Sequence, residues 1–183
     1  VPRSRKARLY PLYRWVMMET GRRAARIVTA SNASRDDIIR LLRLADPSKV
    51  RTVYSGVSGR FKPAPGRTAS AGPGRPRTLL YVGRADPYKN LVTIIRALPQ
   101  IRKQCPFPVS LTVAGSPDPR YPEARAAAEE WGVADVVNWT GYLSDDALTS
   151  LYQAADVLVH LSLCEGFGLQ VAQEVCARRQ PGR

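Results

Sequence analysis

Hydrophobic and polar positions along this chain fall into two regimes separated by a stretch with no rhythm at all. From residue 78 onward short apolar runs alternate with segments of helical spacing. Residues 78–82, 109–114, 136–139 and 157–161 read as strands; 90–98, 123–131, 144–154 and a segment from Gly168 read as helices. The 90–98 helix turns Leu91, Ile94, Ile95 and Leu98 to one side, and Pro99 is expected to help end it. The 144–154 helix opens on Ser144 followed by Asp145 and Asp146, a capping hydroxyl with two acids in the first turn. Upstream, residues 10–23 read as a helix with Pro11 at its start and Leu12, Trp15, Val16 and Met17 grouped along it. A short strand at 26–30 follows, then a helix reaching about residue 44, with Ser34 and Asp37 spaced as a cap and its acid. Asp46 and Pro47 stop that helix, and 50–54 is a further short strand.

Residues 62–77 are rich in Pro, Gly, Ala and Ser and have no periodicity, so they read as a linker or exposed loop. The chain is therefore expected to divide into 1–61, the linker 62–77, and a domain over 78–183. Four strand and helix pairs of this length imply an α/β fold, a parallel sheet covered by helices on both faces with right-handed crossovers. The run at 157–161 is expected to be a buried strand of that sheet.

Composition narrows the classes. A chain of 183 residues with 44% hydrophobic content can bury a real core. No stretch of eighteen apolar residues is present, and the basic N-terminus lacks the apolar run and small-residue site of a signal peptide. Starting at Val1 suggests sequence upstream. Cys105, Cys164 and Cys176 form no CxxC pair, which fits a reducing, cytoplasmic setting. With the cysteines scattered and His160 the sole histidine, no zinc site is expected.

The formal net charge is +13, unevenly spread. Residues 1–60 carry 14 Lys and Arg against 4 acids, and 61–105 carry 9 against 1, whereas 106–177 carry 2 against 10. A basic field of +18 over 1–105 attracts phosphate as nucleic acid, anionic lipid or a small phosphorylated ligand, and charge alone does not choose. The helix at 10–23, with Arg8, Arg14, Arg22 and Arg23 around its apolar face, suits an anionic membrane surface, although packing on its own sheet is the favoured reading. Against nucleic acid, the aromatics are not interleaved with the cations as a stacking platform requires.

Candidate chemistry sits at three strand ends, where open α/β sheets bind ligands. Gly83 permits close backbone approach; Arg84 can grip a phosphate bidentately, and Lys89 adds a mobile charge at a helix start. A solvated pair of cations is the plain alternative. Gly115 lies in a tight turn after the strand at 109–114. Last comes Glu165 followed by Gly166, Phe167, Gly168 and Leu169, whose backbone N–H groups would point from a helix N-terminus at an anion or sugar hydroxyls. A carboxylate beside a phosphate would be repelled by it, so Glu165 suits hydroxyl donors; otherwise it is a helix cap or a partner for Arg84. No P-loop occurs, and GxGxxG fails because Val171 stands at its third glycine, so no resident cofactor is expected. His160 lies at an apolar position of the last strand and reads as structural.

The segments Tyr81-Val82-Gly83-Arg84 with Lys89-Asn90, and Glu165-Gly166-Phe167-Gly168-Leu169, resemble the signatures of the retaining family 4 glycosyltransferases (glycosyl transferases group 1), which have two facing Rossmann-like domains. Thr140-Gly141-Tyr142 and Ala155-Asp156-Val157 are similar to further family segments. Residues 27–34 and 54–57 resemble the end of the acceptor domain and the crossing out of it, so the resemblance runs from about 10 to 177. It implies that the chain is the tail of the N-terminal domain plus an incomplete, Rossmann-like C-terminal domain, truncated at both ends. Arg84 and Lys89 would hold the diphosphate of a nucleoside-diphosphate-sugar donor without a metal. Glu165 would hold donor-sugar hydroxyls as the catalytic-side carboxylate, with the amides of Gly166, Phe167, Gly168 and Leu169 beside it. Gly83, Gly115 and Tyr142 would line the close-approach and base-side loops. The family's ribose-gripping glutamate falls at Gln173, with Glu174 one place later, and its proline after Gly-Leu is replaced by Gln170. The implied reaction transfers a sugar to an unidentified hydroxyl acceptor with retention, the chain itself binding donor weakly without turnover. The rivals are a basic fragment binding nucleic acid or an anionic surface, and a remnant with no ligand.

Overall fold

A computed structural model describes residues 5–63 and 74–178. The linker expected at 62–77 therefore lies largely outside the described residues. Two compact units divide at Gly56 and Val57. Residues 57–61, expected with the first segment, pack with the second: Phe61 is buried, its ring edge-on to Tyr152 at 5.7 Å.

The first unit holds α1 (Arg5–Arg23), β1 (Ile27–Thr29), α2 (Asn32–Leu42) and β2 (Val50–Thr52), with β1 and β2 paired in parallel. Helix α1 begins before Pro11 and runs through it, because residues 5–8, rich in Arg, Lys and Ala, are good helix formers. Its apolar residues Leu12, Trp15, Val16 and Met17 are exposed, against the expectation that they pack on a sheet. Two short strands offer too little surface, and α1 instead meets α2 near Gly21, where an added Cβ would lie 2.9 Å from Leu42 Cδ1. The cap of α2 is Ser31 rather than Ser34: Ser31 is the extended residue, and its hydroxyl accepts from Ser34 N at 3.0 Å.

The second unit is the expected α/β layer structure. Strands β3 (Arg77–Val82), β4 (Val109–Ala114), β5 (Val137–Gly141) and β6 (Val157–Leu158) form a wholly parallel sheet in the order β5-β4-β3-β6. Alternation along β3 and β4 builds a core on each face. Tyr81, Leu111 and Val113 join Leu91, Ile94, Ile95 and Leu98 of α3 (Leu91–Gln104) and the alanines of α4 (Glu123–Glu130). Leu80 and Ala114 face the other way, with Tyr152 of α5 (Asp145–Ala154) and Ala177 of α6 (Leu169–Arg178).

Three boundaries differ from the sequence reading. Helix α3 continues through Pro99 to Gln104. Proline inside a helix costs about 3 kcal/mol, but the helical spacing of Leu91, Ile94, Ile95, Leu98 and Ile101 crosses it, and each fully buried aliphatic side chain returns about 1.5–3 kcal/mol. Residues 134–136 form a 3-10 turn, delaying β5 to Val137. Strand β6 pairs only at Val157 and Leu158 and is half exposed, not buried, because it lies at the edge of the four-strand sheet.

Candidate functional site

The sheet order decides which strand-end residues meet. Arg84 and Lys89 follow β3, Glu165 follows β6, and these strands are neighbours. The chain after β3 turns through a 3-10 segment, Pro87–Lys89, closed by Asn90 in the left-handed conformation (φ 59°). The loop after β6 is tied to that segment by Leu163 N donating to Tyr88 O at 2.8 Å. Lys89 Nζ donates to Glu165 Oε1, with side-chain exposures of 11% and 25%, and lies 5.5 Å from the centre of the Tyr88 ring. Glu165 is therefore partnered by Lys89, not by Arg84. Burial pushes the Glu165 carboxyl up, but the Lys89 and Ser162 hydrogen bonds, with the nearby Lys89 and His160, outweigh it and hold it below the usual carboxylate range.

Arg84 is held by a residue that sequence reasoning missed. Asp86, with 8% side-chain exposure, meets Arg84 through Nη2 to Oδ1 at 3.2 Å and Nε to Oδ2 at 3.0 Å. The second contact is an ion pair without hydrogen-bond geometry, so Oδ2 is buried and unbonded among the described residues. The guanidinium is half exposed and stays available on its outer side. Beneath it the Tyr81 hydroxyl donates to Arg84 O at 2.8 Å. Burial raises the Tyr81 phenol, and Asp86, Tyr88 and Glu165 raise it further, which keeps the hydroxyl a donor.

The glycines at the strand ends make the floor. Gly83 N donates to Ala114 O and Gly115 N to Gly141 O, stitching the ends of β3, β4 and β5 together. A Cβ on Gly115 would lie 2.1 Å from Gly83 O, so the close approach there is between two strands of the protein. Tyr142 follows β5 at the far side of the sheet, three strand spacings of about 4.8 Å from β6, and is 83% exposed; it is not brought to Glu165.

At the start of α6, Gly168 (φ 73°) accepts from Val171 N at 2.9 Å, so Gly166, Phe167 and Gly168 form the turn into the helix, as the residue pattern implied. Gln173, one turn on, accepts at Oε1 from the buried Tyr152 hydroxyl at 3.1 Å. His160 also belongs here: its Nε2 is 3.8 Å from Glu165 Oε1 and 4.0 Å from the position of a Cβ on Gly168. Its signal was hidden because the chain leaves the sheet after Leu158, so strand alternation no longer applies at residue 160. Asp156, just before β6, anchors that strand: Oδ2 accepts from Thr78 N at 2.8 Å, and Oδ1 from Arg77 at 3.2 Å and from Arg75. Among the described residues no three of His, Cys, Asp and Glu cluster as metal ligands would.

The first unit holds a groove of about 610 Å³ lined by Arg35, Arg51 and Thr52 among others. Geometry and chemistry favour the strand ends: the groove holds neither paired buried charges nor glycine turns.

Comparison with known proteins agrees with this fold. The D-inositol 3-phosphate glycosyltransferase of Streptomyces scabiei is 33% identical over 172 residues, covering 87% of this chain and 38% of that protein. An uncharacterized glycosyltransferase of Methanocaldococcus jannaschii is 28% identical, covering 86% of this chain and 41% of that one. The chain thus spans less than half the length of these relatives. Among solved structures, Anabaena HepE in complex with UDP and glucose superposes with a TM-score of 0.74 at 19% identity, over 91% of this chain and 46% of that one. WaaG, a glycosyltransferase involved in lipopolysaccharide biosynthesis, gives 0.72 at 20% identity, over 95% and 48%. Residues 67–181 match the family described as glycosyl transferases group 1, and the chain belongs to that family.

Proposed function

We propose that this chain is the donor-binding portion of a retaining, family 4 glycosyltransferase that moves a sugar from a nucleoside-diphosphate-sugar to a hydroxyl acceptor. The observation that carries the reading is the meeting of Lys89 and Glu165 at the carboxyl ends of the adjacent parallel strands β3 and β6, in a chain of this family. Arg84 and Lys89 hold the diphosphate and stabilise it as it leaves. Glu165 accepts from donor-sugar hydroxyls, beside the amides of Gly166 to Leu169. Gln173 serves the ribose as a neutral group, and Gly83, Gly115 and Tyr142 belong to the floor and base side. Residues 1–56 form the tail of an acceptor-side domain, and 57–183 belong to the donor domain. The protein works in the cytoplasm, with α1 touching the anionic inner face of the membrane; no helix among the described residues is long and apolar enough to cross one.

Calorimetric titration of the 183-residue chain with UDP and UDP-glucose tests this, beside Arg84→Ala and Lys89→Ala. Each substitution is expected to weaken UDP binding by roughly tenfold or more, as loss of a charge-assisted hydrogen bond does. UDP binding untouched by either substitution would overturn the assignment, as would transfer activity in the chain alone for the donor-only part of it.

A further inference from the structure

The donor-site reading leaves Glu165 with two incompatible tasks. Its Oε1 is occupied by Lys89, the cation that a diphosphate would recruit. A diphosphate seated on Arg84 and Lys89 competes for the ammonium and repels the carboxylate, because like charges a few ångströms apart in a half-buried site are poorly screened. Glu165 must then turn from the phosphate side, and the fold has placed one further nitrogen donor there. His160 Nε2 stands 3.8 Å from Glu165 Oε1 and is itself largely buried, at 22% exposure. A shift of about 1 Å brings that pair to hydrogen-bonding distance. The turn residue Gly168 lies beside the ring, the position of a Cβ on it being 4.0 Å from the same Nε2, an ordinary contact distance. The ring and the carboxylate belong to the same short loop, tethered by Leu163 N to Tyr88 O, so the approach needs only side-chain rotation. The other titratable and charged groups around Glu165 are Lys89 and Tyr88 of the 3-10 segment and Tyr81 of β3, with Ser162 already hydrogen-bonded to it.

We propose that His160 is a positioning residue for Glu165: when a donor diphosphate draws Lys89 away, the imidazole Nε2–H takes over Glu165 Oε1 and holds the carboxylate toward the sugar. This rests on the donor-site reading, and it adds a hand-off between two nitrogen donors. It also assigns the imidazole a tautomer, with the proton on Nε2 in the ligand-bound state.

His160 is the only histidine in the sequence, so its imidazole resonances are unambiguous in a nitrogen-edited NMR spectrum. The first arm needs no ligand. Lys89→Met removes the donor and frees Glu165, and the His160 signals should move toward an Nε2-protonated, hydrogen-bonded imidazole. In the Lys89→Met, Glu165→Gln double variant that movement should vanish, which separates the carboxylate's effect from the lost lysine charge. Unmoved signals in Lys89→Met, or movement surviving in the double variant, would overturn the hand-off whatever the ligand proves to be. The second arm compares UDP with UDP-glucose by calorimetry. His160→Leu should weaken UDP binding a few-fold, because Glu165 loses its second partner, and cut the additional affinity supplied by the glucose about tenfold further; His160→Gln, which keeps a donor near the same place, should restore most of both. Equal loss for both ligands in His160→Leu would mark a merely structural side chain and overturn the proposal. Absence of UDP binding in the unsubstituted chain would instead overturn the donor-site reading.

Discussion

Asp156 offers the sharpest test of how the site is held, since it anchors the strand that leads into Glu165. Its carboxylate accepts from Thr78 N at 2.8 Å and from Arg77 at 3.2 Å, also meets Arg75, and is only 11% exposed. Asp156→Ala removes a charge-assisted hydrogen bond to a half-buried amide, worth about 1.5–3 kcal/mol, and leaves that N–H unpaired. The arginine pairs are partly exposed and together add no more than about 1 kcal/mol. The expected loss is about 2–3 kcal/mol at pH 7, near 10 °C in Tm for a unit of this size. Asp156→Asn keeps an acceptor for Thr78 N and should lose about half as much.

The pH dependence has a definite sign. Burial pushes the Asp156 carboxyl up, but the Thr78 amide and the two arginines prevail, so its folded pKa lies below the ordinary aspartate value of about 3.9. A carboxyl depressed on folding contributes stability above its unfolded pKa and loses it as pH falls through the folded one. The gap between the unsubstituted chain and Asp156→Ala should therefore be full at pH 7 and pH 6, and shrink below about pH 4. Urea unfolding followed by tryptophan fluorescence at a series of pH values measures it. A gap under about 0.5 kcal/mol at pH 7, or one unchanged down to pH 3, would refute the reasoning.

Other substitutions probe the floor and the core. Gly115→Ala puts a Cβ 2.1 Å from the Gly83 carbonyl oxygen, backbone against backbone, and should cost more than about 3 kcal/mol or prevent folding, read by the same urea titration. Pro99→Ala restores an N–H inside α3 and removes a helix-interior proline, so a gain of about 1–3 kcal/mol is expected, with a higher Tm by calorimetric scan. Tyr152→Phe deletes the hydroxyl that donates to Gln173 at 3.1 Å; it should cost about 1 kcal/mol of stability and weaken UDP binding a few-fold by loosening Gln173.

The sequence made the layer order legible where burial is two-sided and periodicity is undiluted. Strands β3 and β4 occupy the predicted residues to within one position, because both faces of a central strand are packed and its ends fall at Gly83 and Gly115. Strand β6 was overestimated for the converse reason: an apolar run at an edge can leave the sheet after two pairings. Pro99 misled because its local cost is set against nonlocal burial that only the fold reveals. At the strand ends, residue types indicated which groups carry charge but not whom they meet. Asp86 lies two residues after Arg84 in a turn, where no spacing rule pairs them, and Lys89 reaches Glu165 across 76 positions of chain. His160 illustrates the same limit, since its neighbours follow from the chain's departure from β6.

The charge asymmetry itself reads differently once the strands are paired. The basic stretch supplies β3 and the acidic stretch supplies β6, and these lie side by side. At one end of the pair Arg75 and Arg77 meet Asp156; at the other Lys89 meets Glu165; nearby Arg60 meets Asp145 at 2.5 Å. Four of the basic residues are thus paired across the two halves of one unit, and the cation at the strand ends that is least exposed, Lys89, is among them. A phosphate ligand at the strand ends must exchange with a carboxylate already in place. Exchange penalises a diffuse polyanion, whose many weak contacts are screened by salt. It penalises much less a compact diphosphate that meets Arg84 and Lys89 together and leaves Glu165 a second partner. The largely buried Lys89, already paired with Glu165, is therefore an argument for a small phosphorylated ligand over nucleic acid, made by the same ion pair that joins β3 to β6.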